Sequence, residues 1–284
     1  MPPEPGKQPI LNGLSVDVEE WFQVGAFEHV IDKRDWASLQ TRVEASTGMV
    51  LDLFAEAQVT ATFFTLGWIA ERYPRLIRRI ADAGHEIASH GWDHQRVFTM
   101  DATGFRADLA RTKAVLEQAG GQAVQGYRAP SFSIDNRTPW AHRVLAEEGY
   151  RYSSSVAPVR HDHYGWREAP RFAFRPVADS GLIELPVTVA EIGGRRLATG
   201  GGFFRLLPAA LTDFAVRQVN AAGQPAIFYF HPWEVDPAQP RVVDAPLRSQ
   251  LRHYARLSAM AGKLRGLVAR HAWGRVDAVV ATVA

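Results

Sequence analysis

The chain has 284 residues, 46% of them hydrophobic and 22% charged, which excludes wholesale disorder and fits one domain of barrel size with embellishments. Lys and Arg exceed Asp and Glu by two (32 against 30) and no basic run stands out, so nucleic acid is not an expected partner. Cysteine is absent, so disulfides, thiolate–metal sites and cysteine nucleophiles are excluded and any metal must be held by His, Asp or Glu.

Met1 to Leu11 carries four prolines and no apolar core, so no signal peptide is expected there. The compartment stays open between cytoplasm and periplasm, and so does the oligomeric state. No apolar run reaches the roughly eighteen residues of a membrane helix.

Strand-like runs follow at Leu14–Val18, Ala61–Leu66, Glu86–Ser89, Gly126–Ala129, Tyr150–Ser153, Ile183–Val189 and Ala226–Phe230. Helical periodicity lies between them: Trp36–Phe54 with Asp35 as cap, Trp68–Ala83 ended by Gly84, and Phe105–Ala119 stopped by Gly120. The last of these carries Phe105, Leu109, Thr112 and Leu116 on one stripe. Further helices are expected over Pro139–Glu148, Pro208–Ala222 and Ser249–Ala269, and Val276–Val283 reads as an appended strand. Seven strands alternating with helices predict a parallel α/β fold, open or closed into a barrel. Ala157–Pro176 and Asp236–Pro246 read as loops, and no break looks like a domain linker.

In such folds the chemistry gathers at the carboxyl ends of strands. Four ends here carry groups able to bind metal or move protons: Asp17-Val18-Glu19-Glu20, His90 to His94, Arg128 to Phe132, and His231-Pro-Trp-Glu234. His90 and His94 are four apart, which on a helical turn puts both imidazoles on one face. In a chain with ten histidines that spacing alone is weak, and two solvated histidines are the bland alternative. Asp17 ends a buried-looking strand, where a carboxylate must be paired or ligating unless it caps the next helix. Strand alternation puts Asp17 and Glu19 on one side and Val18 on the other. Arg128 at a strand end suits a carboxylate partner, or stands as a surface Arg. His231, ending an apolar run, is either a satisfied core histidine or a partly buried acid or base.

Taken in order, these segments resemble the polysaccharide deacetylases of carbohydrate esterase family 4, the NodB-homology group. The similarity extends to its subgroup associated with exopolysaccharide loci of the exosortase type. It runs from about Leu14 to Arg241 and rests on Thr60-Ala-Thr-Phe-Phe, Gly84-His-Glu-Ile-Ala-Ser-His-Gly and Tyr229-Phe-His-Pro-Trp-Glu. It implies a distorted (β/α)7 barrel over a single domain, residues 1–284, with a C-terminal extension from about 240.

The resemblance implies an enzyme that removes N-acetyl groups from a polysaccharide and releases acetate. Asp17 would be the base, Arg128 its orienting partner and His231 the acid. His90 and His94 would hold one divalent metal, zinc first, with cobalt, nickel or manganese as alternatives. Pro130, Ser131, Phe132 and Trp233 would serve the substrate, the Ser131 N–H as an oxyanion donor.

This sequence departs from the family pattern at three places. Val18 stands where a second aspartate is usual, so the carboxylate ligand is Glu19, favoured by alternation, or Glu20. Ser131 replaces an aromatic residue, and Ser153 stands where relatives tend to carry Asp. The aromatics Trp21, Phe22, Phe132, Phe203, Phe204 and Trp233 would form a sugar platform if exposed, ordinary core packing being the weightier reading for any one of them. Gly200 to Phe204 and His161 to Tyr164 read as loops on the active-site face. Competing expectations are a related C–N hydrolase acting on a small amide or a short or lipid-linked saccharide, and a catalytically weak carbohydrate-binding protein.

Overall fold

In a computed structural model, which describes residues 9–160 and 164–283, the chain builds one parallel sheet. Its strands are β1 (Asn12–Val18), β2 (Thr62–Thr65), β3 (Glu86–Ser89), β4 (Gly126–Tyr127), β5 (Tyr152–Ser153) and β6 (Ile183–Glu184). A separate hairpin, β7 (Val189–Ile192) and β8 (Arg195–Ala198), precedes β9 (Ile227–Phe230). The order β9-β1-β2-β3-β4-β5-β6 is parallel throughout, and β10 (Trp273–Gly274) pairs with the start of β1. Thr188 spans the seam between β6 and β9: its N–H donates to Ile227 O (2.9 Å), and Ile227 N–H donates to its hydroxyl (2.8 Å). Seven main strands curled in this way are the distorted barrel expected.

The helices are α1 (Val43–Ala57), α2 (Gly67–Arg72), α3 (Pro74–Asp82), α4 (Ala102–Gly120), α5 (Ala141–Glu147), α6 (Gly201–Leu206), α7 (Ala209–Ala221), α8 (Leu247–Tyr254), α9 (Leu257–Val268) and α10 (Val276–Val283). Parallel strands need such crossovers to return the chain to the same end of the sheet.

Period two along each strand sorts the side chains into two cores. Leu14, Val16 and Val18 face outward, and join Phe63, Ile87, Phe228 and Phe230 beneath the helices. Phe64, Ala88, Tyr152, Ile227 and Tyr229 fill the barrel's interior, where Val276, Val279 and Val280 of α10 pack against them. The inward positions at the other end are Asp17, Glu19, His90, Arg128 and His231. The alternation that keeps Val18 outside brings the ionisable groups together inside.

Several elements differ from the sequence expectations. Val276–Val283 is helix, not strand, because Trp273–Gly274 already takes the place beside β1. The first N–H groups of α10 are received by Thr62 Oγ (2.7 Å) and Glu86 Oε2 (3.2 Å), so tertiary position overrides the β-branched composition. Trp36 lies in a 3-10 turn (Lys33–Ser38) capped by Asp32 rather than Asp35, and α1 begins only at Val43. Its start is held by Glu20, whose carboxylate accepts the N–H groups of Arg42 (2.9 Å) and Val43 (3.0 Å). Pro74 divides Trp68–Ala83 into α2 and α3, since proline both breaks one helix and starts the next.

The segment Ser249–Ala269 is likewise two helices, parted at Arg256 in the left-handed region (φ 60°). Gly121, not Gly120, is the left-handed cap of α4 (φ 70°). Ile183–Val189 splits between β6 and the start of β7. Gly200–Phe204 is no loop: Gly200 caps α6, and a Cβ on Gly200 would stand 2.5 Å from the Tyr229 ring. Glycine is required there by close approach, not by flexibility.

Candidate active site at the carboxyl ends of the strands

Arg128 leaves the end of β4 and enters the barrel fully buried. A guanidinium there needs all its donors used. Nη1 donates to Asp17 Oδ1 (2.6 Å) and to Ser15 Oγ (2.8 Å), Nε to Ser154 O (3.0 Å), and Nη2 to Ser154 Oγ (2.9 Å). Its cationic face lies over Phe64, 4.1 Å from the ring centroid. Asp17 is thereby fixed in one orientation.

The Ser154 arm is held in turn by Glu184. That buried carboxylate accepts the N–H groups of Ser155 (2.8 Å) and Val156 (2.9 Å) and contacts His142 (3.0 Å). Ser153, which departs from the family pattern, donates to Ser155 Oγ (2.8 Å).

Glu19, two residues past Asp17, faces the histidines. Glu19, His90 and His94 each place a ligand atom within 4.8 Å of the others. Oε1 of Glu19 accepts the indole N–H of Trp233 (3.0 Å). Its Oε2 is buried and lies 3.0 Å from His94 Nε2, yet has no hydrogen bond of usable geometry. An orphaned carboxylate oxygen beside two imidazoles is what a divalent cation would satisfy.

Burial alone would raise the Glu19 pKa, but His94 and His231 outweigh it and hold the group at about 2. His90 Nδ1 hydrogen-bonds Arg128 O (2.8 Å), which leaves the ring's Nε2 lone pair free to ligate. Burial pushes His90 down to about 4, so it stays neutral. Glu20 points away into the α1 cap, and burial there raises it to about 7. His90 and His94 do not share a helical turn: a bend with left-handed His94 (φ 61°) brings their rings to 5.6 Å.

His231 completes the cluster from β9. Its Nε2 lies 3.7 Å from Glu19 Oε1, and Nδ1 lies 3.0 Å from Glu234 Oε2. Burial would discharge it, but Glu19 and Glu234 raise it to about 9. His94 and His231, with 12% and 19% of their side chains exposed, are the accessible members, while Asp17, Glu19 and His90 lie beneath.

The residues considered for substrate contact divide. Ser131 is partly exposed and sits, with Phe132, in the left-handed region (φ 54° and 49°), a strained pair of the kind that marks functional loops. Pro130, Phe132 and Trp233 are buried. Phe132 packs on Tyr229 (4.7 Å), and Trp233 stacks on His253 (4.3 Å, 14°). Trp21, Phe22 and Phe204 are core residues too, and of the six rings expected as a platform Phe203 alone is half-buried, so they form no exposed platform together. His161, Asp162 and His163 lie outside the described residues.

Sequence reasoning missed Ser15, Ser154, Glu184, Arg205 and the part played by Glu234. Ser15 shares the face of Asp17 by alternation, and Glu234 stands three residues after His231. The other three leave no local signal, because their partners are distant in sequence.

Residues 36–153 match the family described as polysaccharide deacetylase. The chain carries a polysaccharide deacetylase domain. Residues 154–281 match a second family, described only as a domain of unknown function, DUF3473. The chain is 33% identical over 96 residues to a peptidoglycan-N-acetylglucosamine deacetylase of Bacillus cereus, a match covering 34% of this chain and 35% of that one. It is 32% identical over 148 residues to a chitooligosaccharide deacetylase of Rhizobium leguminosarum bv. trifolii, covering 52% and 61%. The chain thus spans between about a third and three fifths of these relatives.

A solved structure described as a polysaccharide deacetylase from Mycobacterium smegmatis superposes with a TM-score of 0.64 at 22% identity, over 99% of this chain and 92% of that one. It shares the fold of the deacetylase domain and of the region after it. Among the described residues no helix is long and apolar enough to cross a membrane.

Proposed function

We propose that this chain is a metal-dependent N-deacetylase that releases acetate from amino sugars of a polysaccharide, an exopolysaccharide or related glycan. The supporting observation is the convergence at one barrel mouth of Asp17 held by Arg128, of Glu19, His90 and His94 within 4.8 Å, and of His231 at the end of β9, the strand beside β1. Both β1 and β9 contribute, so in this reading residues 1–284 act as one domain, with an extension from about 240.

Glu19, His90 and His94 would hold one divalent cation, zinc first, whose chemistry there is to polarise the acetyl carbonyl and strengthen water as a nucleophile. Asp17 takes the proton of the attacking water, its orientation fixed by Arg128. A C–O bond forms at the acetyl carbon, and the Ser131 N–H faces the developing oxyanion, a contribution of about 3 kcal/mol. The C–N bond then breaks as His231 gives its proton to the leaving nitrogen. Acetate and a free amino sugar depart. A base and a separate acid, the latter charged at neutral pH, suit these opposite tasks.

The test is acetate release from N-acetylglucosamine oligomers by metal-loaded protein. Release should stop on chelation and fall by roughly a hundredfold or more in Asp17→Asn and His231→Asn. Release that survives both substitutions would contradict the assignment. Saccharide binding without turnover, with metal retained, would favour a carbohydrate-binding protein instead.

A further inference from the structure

We propose that Glu234, with Arg205 behind it, is the positioning pair that fixes the His231 ring for proton delivery. This rests on His231 being the acid in the reading above. It also assigns a task to the half of the chain matched only by a domain of unknown function, which supplies every residue of the device.

Glu234 stands one turn after His231 on a 3-10 segment (Pro232–Val235). Its Oε2 accepts both the backbone N–H of His231 (3.1 Å) and the ring Nδ1–H (3.0 Å). Two contacts on one oxygen set the ring's torsion as well as its tautomer, and leave Nε2 aimed at Glu19. The other oxygen, Oε1, accepts Arg205 Nε (3.0 Å). Arg205 in turn donates to the carbonyls of Ala255 and Arg252 (2.8 Å for the latter), at the carboxyl end of α8. Arg205 and Glu234 are fully buried. Trp233 closes the arrangement, stacked between His231 (5.2 Å, 19°) and His253 (4.3 Å, 14°).

A buried ion pair is a poor means of adding stability, since apolar residues of similar volume do as well. A pair whose four remaining contacts all lead to His231, ring and backbone, and to one helix end is suited to orientation. Glu234→Gln makes the point sharply. Arg205 demands an oxygen on its side, so the glutamine amide must turn its NH2 toward His231. Nδ1 then becomes an acceptor and the ring is driven into the wrong tautomer, with the backbone N–H of His231 facing a donor.

The experiment compares wild type, Glu234→Gln and Arg205→Lys on an N-acetyl amino sugar and on para-nitrophenyl acetate, whose nitrophenolate leaves without a proton. In Glu234→Gln, kcat on the amide should fall roughly a hundredfold with KM unchanged, while ester hydrolysis stays within about twofold. Arg205→Lys, which keeps the charge but cannot reach all three acceptors, should move the amide-to-ester ratio in the same direction by less. In parallel, NMR of the metal-free protein should show a hydrogen-bonded His231 Nδ1 proton, assigned by its absence in His231→Asn and lost in Glu234→Gln.

Amide and ester rates that fall together, or an Nδ1 proton that persists in Glu234→Gln, would overturn the proposal. If wild type cleaves neither substrate, the deacetylase reading fails, and the NMR result alone decides whether Glu234 holds the ring.

Discussion

Arg128 brings a positive charge into a space with almost no water, and Asp17 is its counter-charge. Removing one member of a buried pair leaves the other uncompensated, so Arg128→Met should cost about 3–5 kcal/mol in denaturant unfolding. The same change at Arg143, whose partner Asp179 is exposed, should leave the unfolding midpoint essentially unchanged. At this scale the sequence was most informative where strand alternation applies. Asp17, Glu19, His90, Arg128 and His231 all follow apolar runs, and period two separates Glu19 from Glu20 once the strand is known to continue. What alternation could not show is that Glu20 caps α1, or that Trp233 donates to Glu19. Both depend on where a distant segment comes to rest.

At the scale of elements, α10 shows how position overrides propensity. A run of valines and alanines is helical because its first N–H groups meet Thr62 and Glu86, and its apolar face fits the barrel interior. Val279→Ala should cost about 2 kcal/mol by leaving a cavity there.

Glu86 adds a pH dependence. Burial raises its pKa from the usual carboxylate value to about 7, with Asp277 adding to the shift. The folded state therefore binds a proton that the unfolded state has released. This contribution is present below about pH 4.5 and is lost as pH rises through about 7. The melting temperature of wild type relative to Glu86→Gln should fall across that window. Comparing the two proteins cancels the other titrating groups. An unchanged difference would show that Glu86 has no raised pKa. The helix breaks at Tyr73–Pro74 and Arg256, like the late start of α1, were obscured because amphipathic periodicity continues across them.

For the whole molecule, the barrel and the mouth that holds the chemistry could be read from seven apolar runs and the groups that follow them. The division of labour along the chain could not. The deacetylase match ends at Ser153, yet β6, β9, His231 and the Arg205–Glu234 pair lie beyond it and close the same barrel. That closure depends on contacts between β1 and residues more than two hundred positions away, which no local pattern encodes.

In the proposed function Asp17 and Glu19 have separate tasks, one as base and the other as metal ligand. Calorimetric zinc titration of wild type, Asp17→Asn, Glu19→Gln, Glu20→Gln and His90→Ala tests that separation directly. One equivalent should bind to wild type, Asp17→Asn and Glu20→Gln, and binding should weaken at least tenfold in Glu19→Gln and His90→Ala. Full binding by Glu19→Gln, with loss in Glu20→Gln or in Asp17→Asn, would contradict the site described.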